Sequence, residues 1–161
     1  MTRLRAAVGS IAFLVVVPGV VAGVVPWLLT DWRSSDPPRA LVVAGAVLIA
    51  AGSLVLLQAF GRFVVEGIGT PAPVAPTEHL VVGGAYRYVR NPMYLAVGSV
   101  IAGQALLLGR AVLFGYLAVF ALTVVAFVHG YEEPTLQARY GGEYAAYRER
   151  VPRWIPVFRR R

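Results

Sequence analysis

The stretch GGAYRYVRNPMY, residues 83–94, decides how this chain is read. It packs Tyr86, Tyr88, Tyr94, Arg87, Arg90 and Asn91 into twelve residues and leads straight into the apolar run that ends at Leu108. Ionisable groups at the boundary of a hydrophobic span are expensive to place there, so such a cluster points to a functional site. Working outward, the chain supplies apolar helices on both sides of the cluster and one later acidic pair, Glu132 and Glu133, at the exit of another apolar run.

Composition sets the class. Of 161 residues, 58% are hydrophobic and 14% charged, the balance of a chain built for a bilayer. The length fits one domain. The net charge of +7 comes from fifteen basic residues, all arginine. They flank apolar spans, which favours anionic lipid headgroups over nucleic acid as the partner. There is no cysteine, hence no disulfide framework, thiolate nucleophile or thiolate-bound metal. His79 and His129 stand far apart, and no His/Asp/Glu group has metal-ligand spacing, so no metal is expected. A phosphate-binding glycine loop and a Ser-His-Asp set are also missing from the pattern.

Four apolar helices are expected, an all-α integral membrane protein. Residues 6–29 form the first span, bent at Pro18, Gly19 and Pro26, with Trp27 and Trp32 at its interface. Residues 40–60 form the second, with Gly45, Gly52 and other small residues that permit close helix contact. The glycines and prolines of residues 61–84 predict a loop outside the hydrocarbon, with Leu80, Val81 and Val82 as a short extended piece. Residues 93–108 and 111–129 then form a hairpin about Gly109. Residues 130–161 form the last segment, an amphipathic helix broken at Gly141 and Gly142 and packed on the membrane surface, with Leu136 and Tyr140 sharing a face before the break and Tyr144, Tyr147 and Val151 sharing one after it. Arginine counting places both termini and the 61–92 loop in the cytoplasm, and so the active site, in what is expected to be a bacterial inner membrane.

Each candidate also has a plainer reading. An interfacial tyrosine is ordinarily an anchor, and Arg87 or Arg90 can serve topology alone. Adjacent carboxylates below hydrocarbon are harder to explain without a partner.

The run from Leu80 through Tyr86, Arg90, Asn91, Pro92, Met93 and Tyr94 resembles the Arg-His-Pro-x-Tyr signature of the isoprenylcysteine carboxyl methyltransferase family. The second half of that pattern follows at Glu132, Glu133, Leu136, Tyr140, Tyr144, Tyr147, Val151, Pro152 and Pro156. The resemblance spans about residues 70–158, and it implies a membrane methyltransferase using S-adenosylmethionine. It places that cofactor on Glu78, His79, Leu80, Val81, on Tyr86, on Asn91, Pro92, Met93 and Tyr94, and on Glu132. Arg90, Tyr94, Tyr147, Arg150 and Arg153 are the candidate catalytic or orienting residues. Glu133, about 100° further round the helix, is expected to matter less to the cofactor.

Two departures bear on the substrate. Asn91 stands where the signature has histidine, keeping a donor and losing an ionisable group. Family members acting on prenylcysteine carry arginines just before the acidic pair; here those positions are Phe127 and Val128, followed by His129. The expected acceptor is therefore a lipid or another small lipophilic molecule. The superfamily's relatives methylate prenylcysteine carboxylates, phospholipid amines or small thiols. A membrane reductase of related fold taking NADPH, and a non-catalytic membrane scaffold, are the alternatives.

Overall fold

The computed structural model describes residues 3–67 and 79–157, and among them it is helical with no strand. Three helical stretches are long and apolar enough to cross a membrane: residues 11–30, 39–62 and the apolar first part of a continuous helix over 111–150. The shorter apolar helix Pro92–Leu108 is the fourth member.

The first span is α1 (Arg3–Gly19), a wide π-helical turn (Val20–Val24) and α2 (Val25–Thr30). The cause of the wide turn is legible. Pro26 has no N–H to give the carbonyl of Ala22 four residues back, and Val25 N–H reaches past Val21 to the carbonyl of Val20. Two carbonyls are thereby freed inside hydrocarbon, where each needs a partner. Gln104 Nε2 donates to Ala22 O at 2.7 Å and Tyr116 Oη donates to Val21 O at 2.7 Å. These two polar side chains lock the turn to the helices beside it.

Helix α3 (Arg39–Arg62) packs along α4 (Pro92–Leu108) through glycines. A Cβ on Gly45 would lie 2.5 Å from Gly103 O, and one on Gly103 would lie 2.6 Å from Gly45 O. Gly52 meets Ala96 O in the same way, at 2.7 Å. Ser99 Oγ donates to Leu48 O at 3.1 Å across this seam. Close backbone approach of this kind drives helix association in lipid, where burial of apolar surface contributes little.

Gly109, at φ +65°, closes α4 and turns the chain into α5 (Ala111–Phe127). The loop between α2 and α3 docks on this turn: Ser35 N–H reaches Leu108 O at 2.9 Å and Ser35 Oγ reaches Gly109 O at 2.8 Å. The α2–α3 and α4–α5 connections thus share one end of the bundle, and the signature segment lies at the other.

The loop expected over residues 61–84 begins later than the sequence suggests. Helix continues through Arg62 and a second π turn, Phe63–Gly67. Gly61 has open space around its Cα, and a lone glycine weakens a helix without ending it. Leu80, Val81 and Val82 are irregular rather than paired; Leu80 and Val81 are buried. A third wide turn, Val128–Glu132, joins α5 to α6 (Glu133–Arg150), and α6 kinks at Gly141, where φ is 50° and ψ −121°. The apolar residues on either side of this kink, Leu136 and Tyr140 before it and Tyr144, Tyr147 and Val151 after it, gather in one cluster with Leu80, so they pack on the protein itself rather than on the membrane surface.

Candidate active site

The signature segment is held from three directions. From the π turn that follows α3, Glu66 accepts the Gly83 N–H at 2.9 Å and an Arg62 Nη1 hydrogen bond at 2.7 Å. Gln58 accepts the Ala85 N–H at 3.3 Å. From α6, Tyr147 Oη donates to Tyr86 O at 2.7 Å. From the tail, Arg90 N–H reaches Pro152 O at 2.9 Å, Asn91 Nδ2 reaches Arg153 O at 3.1 Å, and Val157 N–H reaches Tyr88 O at 3.1 Å. Pro92 opens α4 as its first residue, where a missing N–H costs nothing.

The two glutamates divide their work. Glu133 is buried in an arginine clamp: Arg90 Nη1 lies 2.6 Å from its Oε1, and Arg153 lies 2.8 Å from Oε1 through Nε and 2.6 Å from Oε2 through Nη2. Burial alone would raise this carboxyl. The Arg153 hydrogen bond and the charges of Arg90, Arg153 and Arg148 outweigh it and hold Glu133 below the usual carboxylate range. Glu132 accepts a single hydrogen bond, from Tyr94 Oη at 2.7 Å, and no cation pairs with it among the described residues. Burial raises its carboxyl, the Tyr94 hydrogen bond pulls the other way, and the Glu133 charge adds to the rise; the net is upward.

Both glutamates line a cavity of about 630 Å³ that runs from α6 into the membrane bundle. Its polar end carries Tyr86, Arg90, Asn91, Tyr94, Tyr131 and Glu132, with Tyr140, Tyr144 and Tyr147 from α6. Its apolar end is built from Phe13, Val17, Leu56, Phe60, Val97 and Phe120. Burial first, then the Glu132 charge, pushes the Tyr86 hydroxyl well above its ordinary value, so the phenol stays neutral.

The positions expected from sequence fall into distinct places. Leu80, Val81, Tyr86, Arg90, Asn91, Met93, Tyr94, Glu132 and Tyr147 are on the cavity wall. His79 is exposed, and Pro92 is buried under the wall. Glu78 lies outside the described residues. Arg150 is exposed and its Nε bonds Ala146 O at 3.1 Å, while Arg153 stands behind Glu133. Phe127 lines the cavity, Val128 is fully buried, and His129 is exposed, its Nδ1 against Val125 O and its Nε2 against Arg153. Missed from sequence were Gln58 and Glu66, which tether the segment, and the deep apolar wall. The acidic Glu66, close to the end of a span, was the only advance sign of the tether.

Among the described residues the chain is thus a helical bundle of apolar spans with an acidic, tyrosine-lined cavity at one end. Residues 40–143 match the phospholipid methyltransferase family, and the chain belongs to it. That family is part of the superfamily that includes the isoprenylcysteine carboxyl methyltransferases. The match runs from the start of α3 to just past the α6 kink and takes in the first motif and the second as far as Tyr140. No curated protein and no solved structure matches the chain.

Proposed function

We propose that this protein transfers a methyl group from S-adenosylmethionine to a lipophilic acceptor at the cytoplasmic face of the membrane. The observation that carries the reading is Glu132, a desolvated carboxylate with no cationic partner among the described residues, set in the polar end of a cavity that continues into the apolar bundle. An uncompensated buried charge is costly and asks for a cation or hydroxyls. S-adenosylmethionine offers both, and its sulfonium leaves as a neutral thioether when an acceptor takes the methyl.

This chain's residues have four tasks in that chemistry. Glu132 holds the ammonium or ribose hydroxyls, oriented by Tyr94. The rings of Tyr86, Tyr94 and Tyr131 present electron-rich faces to a positive sulfur. Leu80, Val81 and Met93 exclude water from the reacting atoms. The clamp of Arg90, Glu133 and Arg153 fixes the two motifs relative to each other, so acceptor and donor meet in line.

The acceptor is neutral or amine-bearing rather than a prenylcysteine carboxylate. At the positions where a carboxylate clamp is expected, Phe127 is apolar, Val128 is buried, and His129 is exposed and not part of the cavity wall. Radiolabelled methyl transfer to an organic-solvent extract of whole cells, which holds short-tailed acceptors as well as membrane lipids, run beside a farnesylcysteine analogue at matched concentration, tests this. Label in the extract and little in the analogue is the expected result. Efficient methylation of the analogue alone refutes it.

A further inference from the structure

The cavity has a floor, and the floor is built from all four helices at one level. The deepest lining residue of each is Val21 from the first wide turn, Leu56 from α3, Val97 from α4 and Phe120 from α5. One turn further on, Ile101 is completely buried beneath Val97. One turn beyond Phe120, Tyr116 straps across to Val21 O at 2.7 Å, and Gln104 fixes Ala22 O at 2.7 Å. The hydrogen bonds that satisfy the proline-broken helix therefore also close the bottom of the well.

The well is also chemically plain. Between the tyrosine rim and the floor, Thr123 is the sole polar side chain among the described lining residues, and its hydroxyl is already engaged with Val119 O at 2.9 Å. An ester or amide placed there would lose its hydrogen bonds with water and gain none, which is unfavourable. Hydrocarbon alone suits it.

Resting on the methyl-transfer reading, we infer that the Val21–Leu56–Val97–Phe120 floor sets the length of acceptor the enzyme takes, selecting a single short alkyl tail over the long paired tails of a membrane phospholipid. From Phe127 near the rim to Phe120 at the floor is seven residues of α5, about 10 Å at ~1.5 Å per residue. That depth holds about eight carbons of a chain extended at ~1.25 Å per carbon, as bonds of ~1.5 Å dictate. The nucleophilic head of such a molecule then lies at the rim beside Tyr94, Tyr131 and Glu132. A longer tail must fold or force the helices apart.

The test is binding of n-alkylamines of about six to eighteen carbons, a range bracketing that depth, to the purified full chain in detergent with S-adenosylhomocysteine present. It is read by calorimetry and corrected for partition into micelles. Affinity is expected to hold up to about eight carbons and then fall about tenfold as the floor is overpacked. Phe120→Ala moves the break to longer chains, and Val97→Phe moves it to shorter ones. S-adenosylhomocysteine binding reports whether each variant is folded; if Val97→Phe is not, Phe120→Ala decides. Affinity that holds through the longest chains, a break unmoved by Phe120→Ala, or no alkylamine binding to a protein that does bind S-adenosylhomocysteine overturns the inference. Failure of S-adenosylhomocysteine to bind the wild type refutes the methyl-transfer reading instead, and the chain-length profile is then read on the protein alone.

Discussion

Glu133→Gln should cost this protein its fold more than its chemistry. The Glu133 side chain is 10% exposed, as is that of Arg90, while Arg153 is 27% exposed. Three arginine nitrogens converge on the carboxylate within 2.8 Å. Arg90 Nε is already buried without a partner among the described residues, so losing the Glu133 carboxylate adds to a group that is poorly satisfied from the start. Removing one member of a buried pair typically costs about 3–5 kcal/mol, because the remaining charge is stranded. The partial exposure of Arg153 places this case at the lower end, about 3 kcal/mol. For a chain of this size that is a fall in Tm of about 6–12 °C. Glu132→Gln removes an unpaired, desolvated charge and should leave Tm unchanged or raise it. Thermal unfolding of both variants in one detergent measures the difference. Equal Tm values would refute the division of labour between the two carboxylates. So would a larger loss for Glu132→Gln.

Other outcomes follow from the same geometry. The Glu133 carboxyl is held below its unfolded value, so its contribution is complete above the ordinary carboxylate range and is lost as pH falls through the lowered value. Wild-type Tm should therefore drop on acidification more steeply than that of Glu133→Gln. Gly45→Leu drives side-chain atoms into Gly103 O and Leu107 and should destabilise by about 1–3 kcal/mol or more, seen as lost monodisperse protein on gel filtration. Gln104→Leu strands the Ala22 carbonyl in hydrocarbon and should cost about 1–2 kcal/mol in thermal unfolding. Cysteines placed at Ser34 and Glu143 should be labelled by an impermeant reagent from opposite sides of the membrane; labelling from one side contradicts the proposed topology.

Much of this architecture could be read from the chain before any coordinates. The spans, the hairpin at Gly109, the kink at Gly141 and the shared face of Tyr144, Tyr147 and Val151 all follow from apolar length and local turn chemistry. The small residues of α3 announced a close helix seam, though not that Gly45 would meet Gly103. Long-range pairing was out of reach. Which glutamate is clamped depends on Arg90, 43 residues away, and on Arg153, 20 residues away, and no periodicity carries that information. The sequence treats Gly61 as a breaker, whereas the helix runs through it. Nor does any local pattern announce that Gln104 and Tyr116 satisfy carbonyls freed by Pro26 and the wide turn. The apolar well was hidden for a simple reason: in a membrane bundle, a phenylalanine facing a cavity and one facing lipid read alike.

The most direct test of the central claim is a calorimetric titration of S-adenosylmethionine into the purified wild type and into Glu132→Gln. The account predicts binding to the wild type and an affinity about 10- to 150-fold weaker in the variant, the loss of one charge-assisted hydrogen bond of about 1.5–3 kcal/mol. Equal affinities would remove Glu132 from the cofactor site. No heat with S-adenosylmethionine, against clear binding of NADPH to the same preparation, would contradict methyl transfer itself.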